Sequence, residues 1–169
     1  MEHDWFPRSV PENVELGARS WLFSAYAFRH CHSRRAVAVR IGDDSGIYHG
    51  THFELGPEGV VEIGRFCTIV GAIIRTNARV AIGDHTFLAH EVVLADTPFA
   101  IPPDGASEPP TGAGIEIGEN AWIGARATVL GGSRIGAGAI VGAGAVVDGV
   151  VPAGALAAGN PARVLPARR

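Results

Sequence analysis

The chain has 169 residues, 47% of them hydrophobic, and a formal net charge of −3. That length supports one domain with its own core, without disulfide or metal staples, and the charge balance points to neither nucleic acid nor a membrane surface as a partner. No apolar run approaches the roughly 18 residues of a membrane span, and the opening MEHDWFPRSVPEN lacks the basic head and apolar run of a signal peptide. Cys31 and Cys67 have no CxxC spacing and read as reduced thiols of a cytoplasmic protein.

Glycine reaches 23 residues while aromatics make up only 7%, a bias that calls for a repeat search before any assignment of helix or strand. Taken in chain order, residues 16–30 allow two readings. Leu16, Leu22 and Phe28 could head an irregular first coil, or the segment could be a short helix. RHCHSRR (Arg29–Arg35) reads as a solvated basic loop rather than a phosphate site. Ile41, Ile47 and Phe53 then head a six-residue beat, followed by Ile63 and Ile69, and by Ile82, Leu88 and Leu94.

The beat is strictest from Ile117, where the chain reads IGENAW, IGARAT, VLGGSR, IGAGAI, VGAGAV. The first residue of each block is Ile or Val, and the fifth is Ala121, Ala127, Ser133, Ala139 or Ala145. Six residues do not return an α-helix to one face, whereas short extended segments joined by tight corners do repeat this way. A β-branched residue points inward, a second inward site must be small, and glycine is expected to serve the corner dihedrals. Three sides close a triangular prism of 18 residues per coil, with coils about 4.8 Å apart.

The predicted fold is therefore all-β, a parallel β-helix of about six coils and about 29 Å, with a protruding loop and a short C-terminal tail. Residues 1–40 form an N-terminal segment and irregular first coil, 41–152 the β-helix with an insertion at 97–114, and 153–169 the tail. The interval 41→63 leaves four extra residues, assigned to LGPEG. The interval 63→82 leaves one, and 82→117 leaves the Pro-rich insertion.

The segments IEIGENAWIGARATVLGGSRIGAGAIVGAGAVV and VPAGALAAGNPARVL resemble the left-handed β-helix, or hexapeptide-repeat, acyltransferases, most closely the sugar and xenobiotic O-acetyltransferase branch. The resemblance is strong over 115–166, fair over 60–100 and thin before residue 40. It implies a homotrimer with sites in grooves between prisms, where acetyl-CoA or another acyl-CoA delivers its acyl group to a hydroxyl or amine of a small molecule. It also implies that Ala125 and Ala143 contact the thioester arm, that Arg163 approaches the nucleotide end, that Trp122 lies near the reacting centre, and that Asn77 falls at an acceptor-binding position. No metal is expected. The family's catalytic histidine falls on Phe99 or, with a gap, on Thr97, so the usual base is missing. The usual TKD reads Asp148, Gly149, Val150.

His90 is the candidate replacement. As the third residue of the block headed by Leu88, it shares a column with His49, Gly71, Ala125 and Ala143 and stands one coil from Ala125. An imidazole suits the base role in acyl transfer. His49, with Gly71 between, would leave room for the acceptor, and Asp96 is a weaker candidate base or orienting group. Two other readings stay open. One is a trimeric scaffold or binding protein without catalysis. The other is a metalloenzyme like the gamma-class carbonic anhydrases, which LAH at 88–90 resembles; its second ligand would fall on Ala95, and His85 would stand at a different corner from His90.

Overall fold

The computed structural model describes residues 3–96 and 112–165. The first coil comprises β1 (Val14–Leu16), β2 (Trp21–Leu22) and a 3₁₀ turn, Ala25–Phe28. The second holds β3 (Val39–Ile41), β4 (Gly46–Ile47) and β5 (His52–Leu55), and the third β6 (Val60–Ile63), β7 (Thr68–Ile69) and β8 (Ile73–Thr76). The fourth holds β9 (Arg79–Ile82), β10 (Phe87–Leu88) and β11 (Val93–Ala95), and the fifth β12 (Ile115–Ile117), β13 (Trp122–Ile123) and β14 (Thr128–Leu130). The sixth is β15 (Arg134–Ile135), β16 (Ile140–Val141) and β17 (Val146–Val147). The tail carries β18 (Val150–Val151) and β19 (Leu156–Ala158), which lengthen two sides, and β20 (Arg163–Leu165), which turns back antiparallel to β19.

Three stacked parallel sheets result. Side A runs β1-β3-β6-β9-β12-β15-β18, side B runs β2-β4-β7-β10-β13-β16-β19-β20, and side C runs β5-β8-β11-β14-β17. This is the left-handed parallel β-helix of about six turns that the repeat predicts. Register follows the beat: Ile41, Ile63, Ile82, Ile117, Ile135 and Val151 pair down side A, and Ile47, Ile69, Leu88, Ile123 and Val141 down side B. Phe53, Ile74, Leu94, Val129 and Val147 complete the core along side C. Both readings of residues 16–30 hold in part. Leu16 pairs with Ile41 and Leu22 with Ile47, while the 3₁₀ turn takes the third side and stacks Phe28 on Phe53 at 4.9 Å.

Two expectations need correction. The interval 63→82 does not hold one simple insertion: Ile69 to Ile74 is one residue short and Ile74 to Ile82 two residues long. The second-position glycines serve close approach rather than corner dihedrals. A Cβ on Gly118 would stand 2.5 Å from Ala137 N, and one on Gly136 2.3 Å from Ala153 N. Left-handed backbone falls instead at the fourth position, at Asn120, Arg126, Gly132, Gly138 and Gly144.

The fifth-position residues are buried as expected, from Ala121 to Ala145. At three upstream sites they are replaced by Ser45, Thr51 and Thr86, whose hydroxyls bond carbonyls of the next coil: Ser45 Oγ donates to Gly64 O (2.8 Å) and Thr86 Oγ1 to Gly118 O (2.9 Å). A buried hydroxyl so paired escapes the desolvation penalty of an unpaired one.

Candidate functional site

Between sides B and C each coil turns through two residues that lie outside the strands: His49–Gly50, His90–Glu91, Ala125–Arg126 and Ala143–Gly144. The second of each pair has positive φ, and from the fourth coil onward its N–H donates to the carbonyl one coil back. Thus Arg126 N bonds His90 O and Gly144 N bonds Ala125 O, both at 2.9 Å. The third coil is the exception, because the missing residue between Ile69 and Ile74 falls here. Gly71 alone makes the corner, at φ 62°, and accepts from Glu91 N. The expected column therefore forms, with Gly71 standing for two residues. His49 and His90 flank a position without any side chain.

This corner groove is lined by His90, Glu91, Ala125, Arg126, Ala143 and Gly144. Among the described residues, the backbone N–H groups of His90, Ala125 and Ala143 have no protein acceptor. They form a file of free donors about 4.8 Å apart, beside an exposed imidazole. Glu91 does not orient that imidazole. Its carboxylate accepts from Arg126 Nε at 2.7 Å, and the Arg126 guanidinium holds it below the usual carboxylate range.

The other sequence-derived candidates have varied surroundings. Arg163 opens β20, the last strand of side B, opposite Ala158; the turn before it is held by Val146 N to Gly159 O and Ala162 N to Val146 O. Its guanidinium is exposed, with one bond to Ala162 O. The order along the axis is His90, Ala125, Ala143, Arg163. Trp122 stands apart, on the outer face of side B toward the A–B corner, with Phe87 edge-on at 5.9 Å and His85 and Asn120 nearby. Asn77 is buried at the C–A corner, where its Oδ1 accepts from Glu58 N. Asp96 is buried beside it. Its carboxylate accepts from the Thr76 hydroxyl, from Asn77 N (3.2 Å) and from Ala78 N (3.0 Å). Burial pushes the Asp96 carboxyl up, while those hydrogen bonds pull the other way. Both residues have structural work at the root of the insertion. Thr97 and Phe99 lie outside the described residues.

His49 meets Phe23 edge-on at 5.0 Å. His85, stacked on Phe66 at 4.9 Å, is at the A–B corner, with the whole of β10 between it and His90. Among the described residues, no three His, Cys, Asp or Glu side chains are grouped to hold a metal ion. Nor is any helix there long and apolar enough to cross a membrane. Sequence reasoning missed the single-residue corner at Gly71 and the aromatic surroundings of His49. The five-residue interval from Ile69 to Ile74 was a usable signal for the first, and the crowding of WLFSAYAF for the second.

Comparison with known proteins agrees with this fold. Residues 114–149 match the family model "Bacterial transferase hexapeptide (six repeats)". No curated protein matches the chain. Among solved structures, the polySia-specific acetyltransferase NeuO is similar at 26% identity and TM-score 0.60, over 76% of this chain and 62% of its own. The chain thus spans less than two thirds of the length of NeuO. A hexapeptide-repeat acetyltransferase of Vibrio cholerae, solved with acetyl coenzyme A, is 23% identical over 84% of this chain and 75% of its own, with TM-score 0.63. AntD, an N-acyltransferase of Bacillus cereus solved with dTDP and coenzyme A, is 16% identical over 95% and 80%, with TM-score 0.64. At these identities and coverages the likenesses show the fold.

Proposed function

We propose that the protein moves an acetyl or other acyl group from acyl-CoA to a hydroxyl or amine of a small molecule, along the B–C corner. The observation that carries this reading is the file of free N–H donors at His90, Ala125 and Ala143, which runs from an imidazole toward Arg163. Small side chains at 125 and 143 let a thioester arm approach the backbone, and the arginine supplies charge for a phosphate. Acetyl-CoA and coenzyme A in the structures of similar proteins support the same co-substrate.

In the reaction, His90 removes the acceptor's proton as its oxygen or nitrogen attacks the thioester carbonyl. Backbone N–H groups of the corner meet the oxyanion. The C–S bond then breaks, and the thiolate leaves with the proton from the imidazolium. The homotrimer that the resemblance implies suits the outer face of side B, where Trp122, Ile140 and Leu156 are 56%, 45% and 40% exposed in the single chain. Two unpaired thiols fit a reducing compartment such as the cytoplasm.

Calorimetry with coenzyme A, followed by thiol release from acetyl-CoA across a panel of alcohols and amines, tests the reading. His90→Ala is expected to keep the coenzyme A affinity and lose roughly 10²- to 10⁴-fold in turnover. Absence of coenzyme A binding, or full turnover in that variant, would overturn it.

A further inference from the structure

Next to His49 the prism has a second concavity, a slot of about 180 Å³ between the 3₁₀ turn of the first coil and the B–C corner of the second. Its walls are rings: Trp5, Phe23, Tyr26 and Tyr48, with the imidazoles of His49 and His52. Two features show that it is built rather than left over. Gly46 interrupts the outward column of side B, and a Cβ there would lie 2.4 Å from Tyr48 Cε2, so the missing side chain is what lets the tyrosine lie across the sheet. The Asp4 carboxylate accepts from Ser24 Oγ (2.7 Å) and Ala25 N (2.6 Å), which pins the N-terminal segment and places Trp5 against Tyr26 at 5.5 Å.

The lining tells what it can hold. It contains no Asp, Glu, Lys or Arg, so a charged ligand would find no counter-charge there. Most of its polar groups are already spent within the fold. Ser24 Oγ bonds Asp4 and Tyr26 N, Tyr26 OH accepts from Arg29 Nη1, and Thr51 Oγ1 donates to Ile69 O. The side-chain groups left without a hydrogen-bond partner among the described residues are the Trp5 indole N–H, the Tyr48 hydroxyl and the imidazoles of His49 and His52. The last three, which include every acceptor among them, lie on one stretch at one end. Burial pushes the His52 imidazole down, toward its neutral form. A sugar ring needs hydrogen-bond partners all round its edge, whereas a flat apolar ring with one polar substituent needs them at one end only. Size agrees: an apolar cavity of about 150 Å³ accommodates a benzene ring.

We propose that this slot is the acceptor subsite and that it takes one neutral aromatic ring bearing a hydroxyl, a phenol-type acceptor. The proposal rests on the acyl-transfer reading and narrows its acceptor. Gly50, in the lining, lies against Gly71; a Cβ on it would come 3.3 Å from Gly71 Cα. A hydroxyl projecting past His49 therefore arrives over the bare Gly71 corner, one layer from His49 and one from His90. His49 orients the oxygen and His90 takes its proton. The phenolic oxygen bonds to the acyl carbon, the C–S bond breaks, and the proton passes from His90 to the thiolate, giving an aryl ester and free coenzyme A.

Titration of the full chain with p-cresol, methyl α-glucoside and benzylamine, each without acyl-CoA, tests it. p-Cresol is expected to bind saturably and to quench tryptophan fluorescence, with weaker binding of the other two. Trp5→Ala should weaken p-cresol about three- to tenfold and abolish the quench, and Gly46→Val, which displaces the Tyr48 ring, should weaken it as well. No p-cresol binding, equal or tighter binding of the glucoside or the amine, or indifference to both substitutions would overturn the proposal. Coenzyme A binding without p-cresol binding would sink the slot alone, and p-cresol binding without coenzyme A binding would sink the transfer reading alone.

Discussion

The coils before and after the insertion share one register and differ in nearly everything else. Between Ile115 and Ala158 the sides are two or three residues long, the corners are built mostly from Gly and Ala, and the first complete coils repeat with little variation. Between Val14 and Asp96 the intervals slip, the inward sites are the mixed set Ser45, Thr51, Cys67, Ala72, Thr86 and Val92, and a 3₁₀ turn replaces one strand. Six of the seven histidines and eight of the twelve aromatic residues lie in that stretch. Regular coils can offer backbone donors at fixed spacing but few reactive side chains. Irregular coils open the space in which side chains can act. The candidate site lies where one kind passes into the other, with His90 on the last coil before the insertion and Ala125 on the first after it.

The comparison can be tested most forcefully in the core of side C. Phe53 and Val129 occupy the same inward column, both fully buried. Phe53→Ala removes a ring stacked on Phe28 and leaves a cavity where the first coil is already irregular; it is expected to cost about 3–5 kcal/mol. Val129→Ala removes two methyl groups between regular coils and is expected to cost about 1.5–2.5 kcal/mol. Urea denaturation of both variants would read the difference. Equal losses would mean that the upstream coils pack no differently from the downstream ones.

That contrast also explains what could be read before the structure. The fold was legible because a prism repeats its constraint: each of Ile117, Ile123, Val129, Ile135 and Val141 meets the same neighbours, so the pattern recurs in the letters. The column through His90 was legible for the same reason. The corner at Gly71 was not, since counting six from Ile69 conceals a five-residue interval, and only the pairing of Ile74 with Leu94 reveals where the residue is missing. Asn77 and Asp96 looked like site residues by position, yet burial and three donors around one carboxylate tie them to the insertion's root. The slot beside His49 depends on a contact between residues 5 and 26 that no periodicity encodes.

A smaller effect is expected from the glycines of the regular half. Gly136→Ala would bring a Cβ within 2.3 Å of the next coil's backbone, and overpacking of this sort costs about 1–3 kcal/mol. Gly138→Ala meets nothing within 4 Å, and its penalty is that of a left-handed backbone at φ 66°, about 1–2 kcal/mol. Upstream, the same corner position already carries Asp44, Phe66 and His85 at φ 57°, 56° and 59°. Phe66 and His85 recover something by stacking on each other, which an isolated alanine cannot do. Thermal denaturation should therefore rank Gly136→Ala below Gly138→Ala in stability, and the reverse order would show that left-handed strain, not coil spacing, dictates glycine in these repeats.

The smallest effect concerns pH and separates buried from exposed carboxylates. Asp44, Asp84 and Glu91 are surface groups held below their usual range by hydrogen bonds, from Arg19, from Arg65 and from Arg126 respectively. Each binds its proton less tightly in the fold than in the unfolded chain, so the stability it contributes is present above the unfolded pKa and fades as pH falls through the folded one. Asp96 has the opposite sign. Burial raises its folded pKa above the ordinary 3.8, so its contribution is full below that value and is lost as pH rises through the folded pKa. Asp96→Asn is less stable at every pH, because its amide nitrogen accepts nothing from Ala78 N, Asn77 N or Thr76, whereas both carboxyl oxygens can accept in the neutral as in the ionised form. It cannot ionise, however. Its deficit relative to the parent chain should therefore shrink as pH rises from 4 upward, measured by urea midpoints at a series of pH values. A deficit that grows over that window would mean that the three hydrogen bonds outweigh burial, and that Asp96 is held ionised at the root of the insertion.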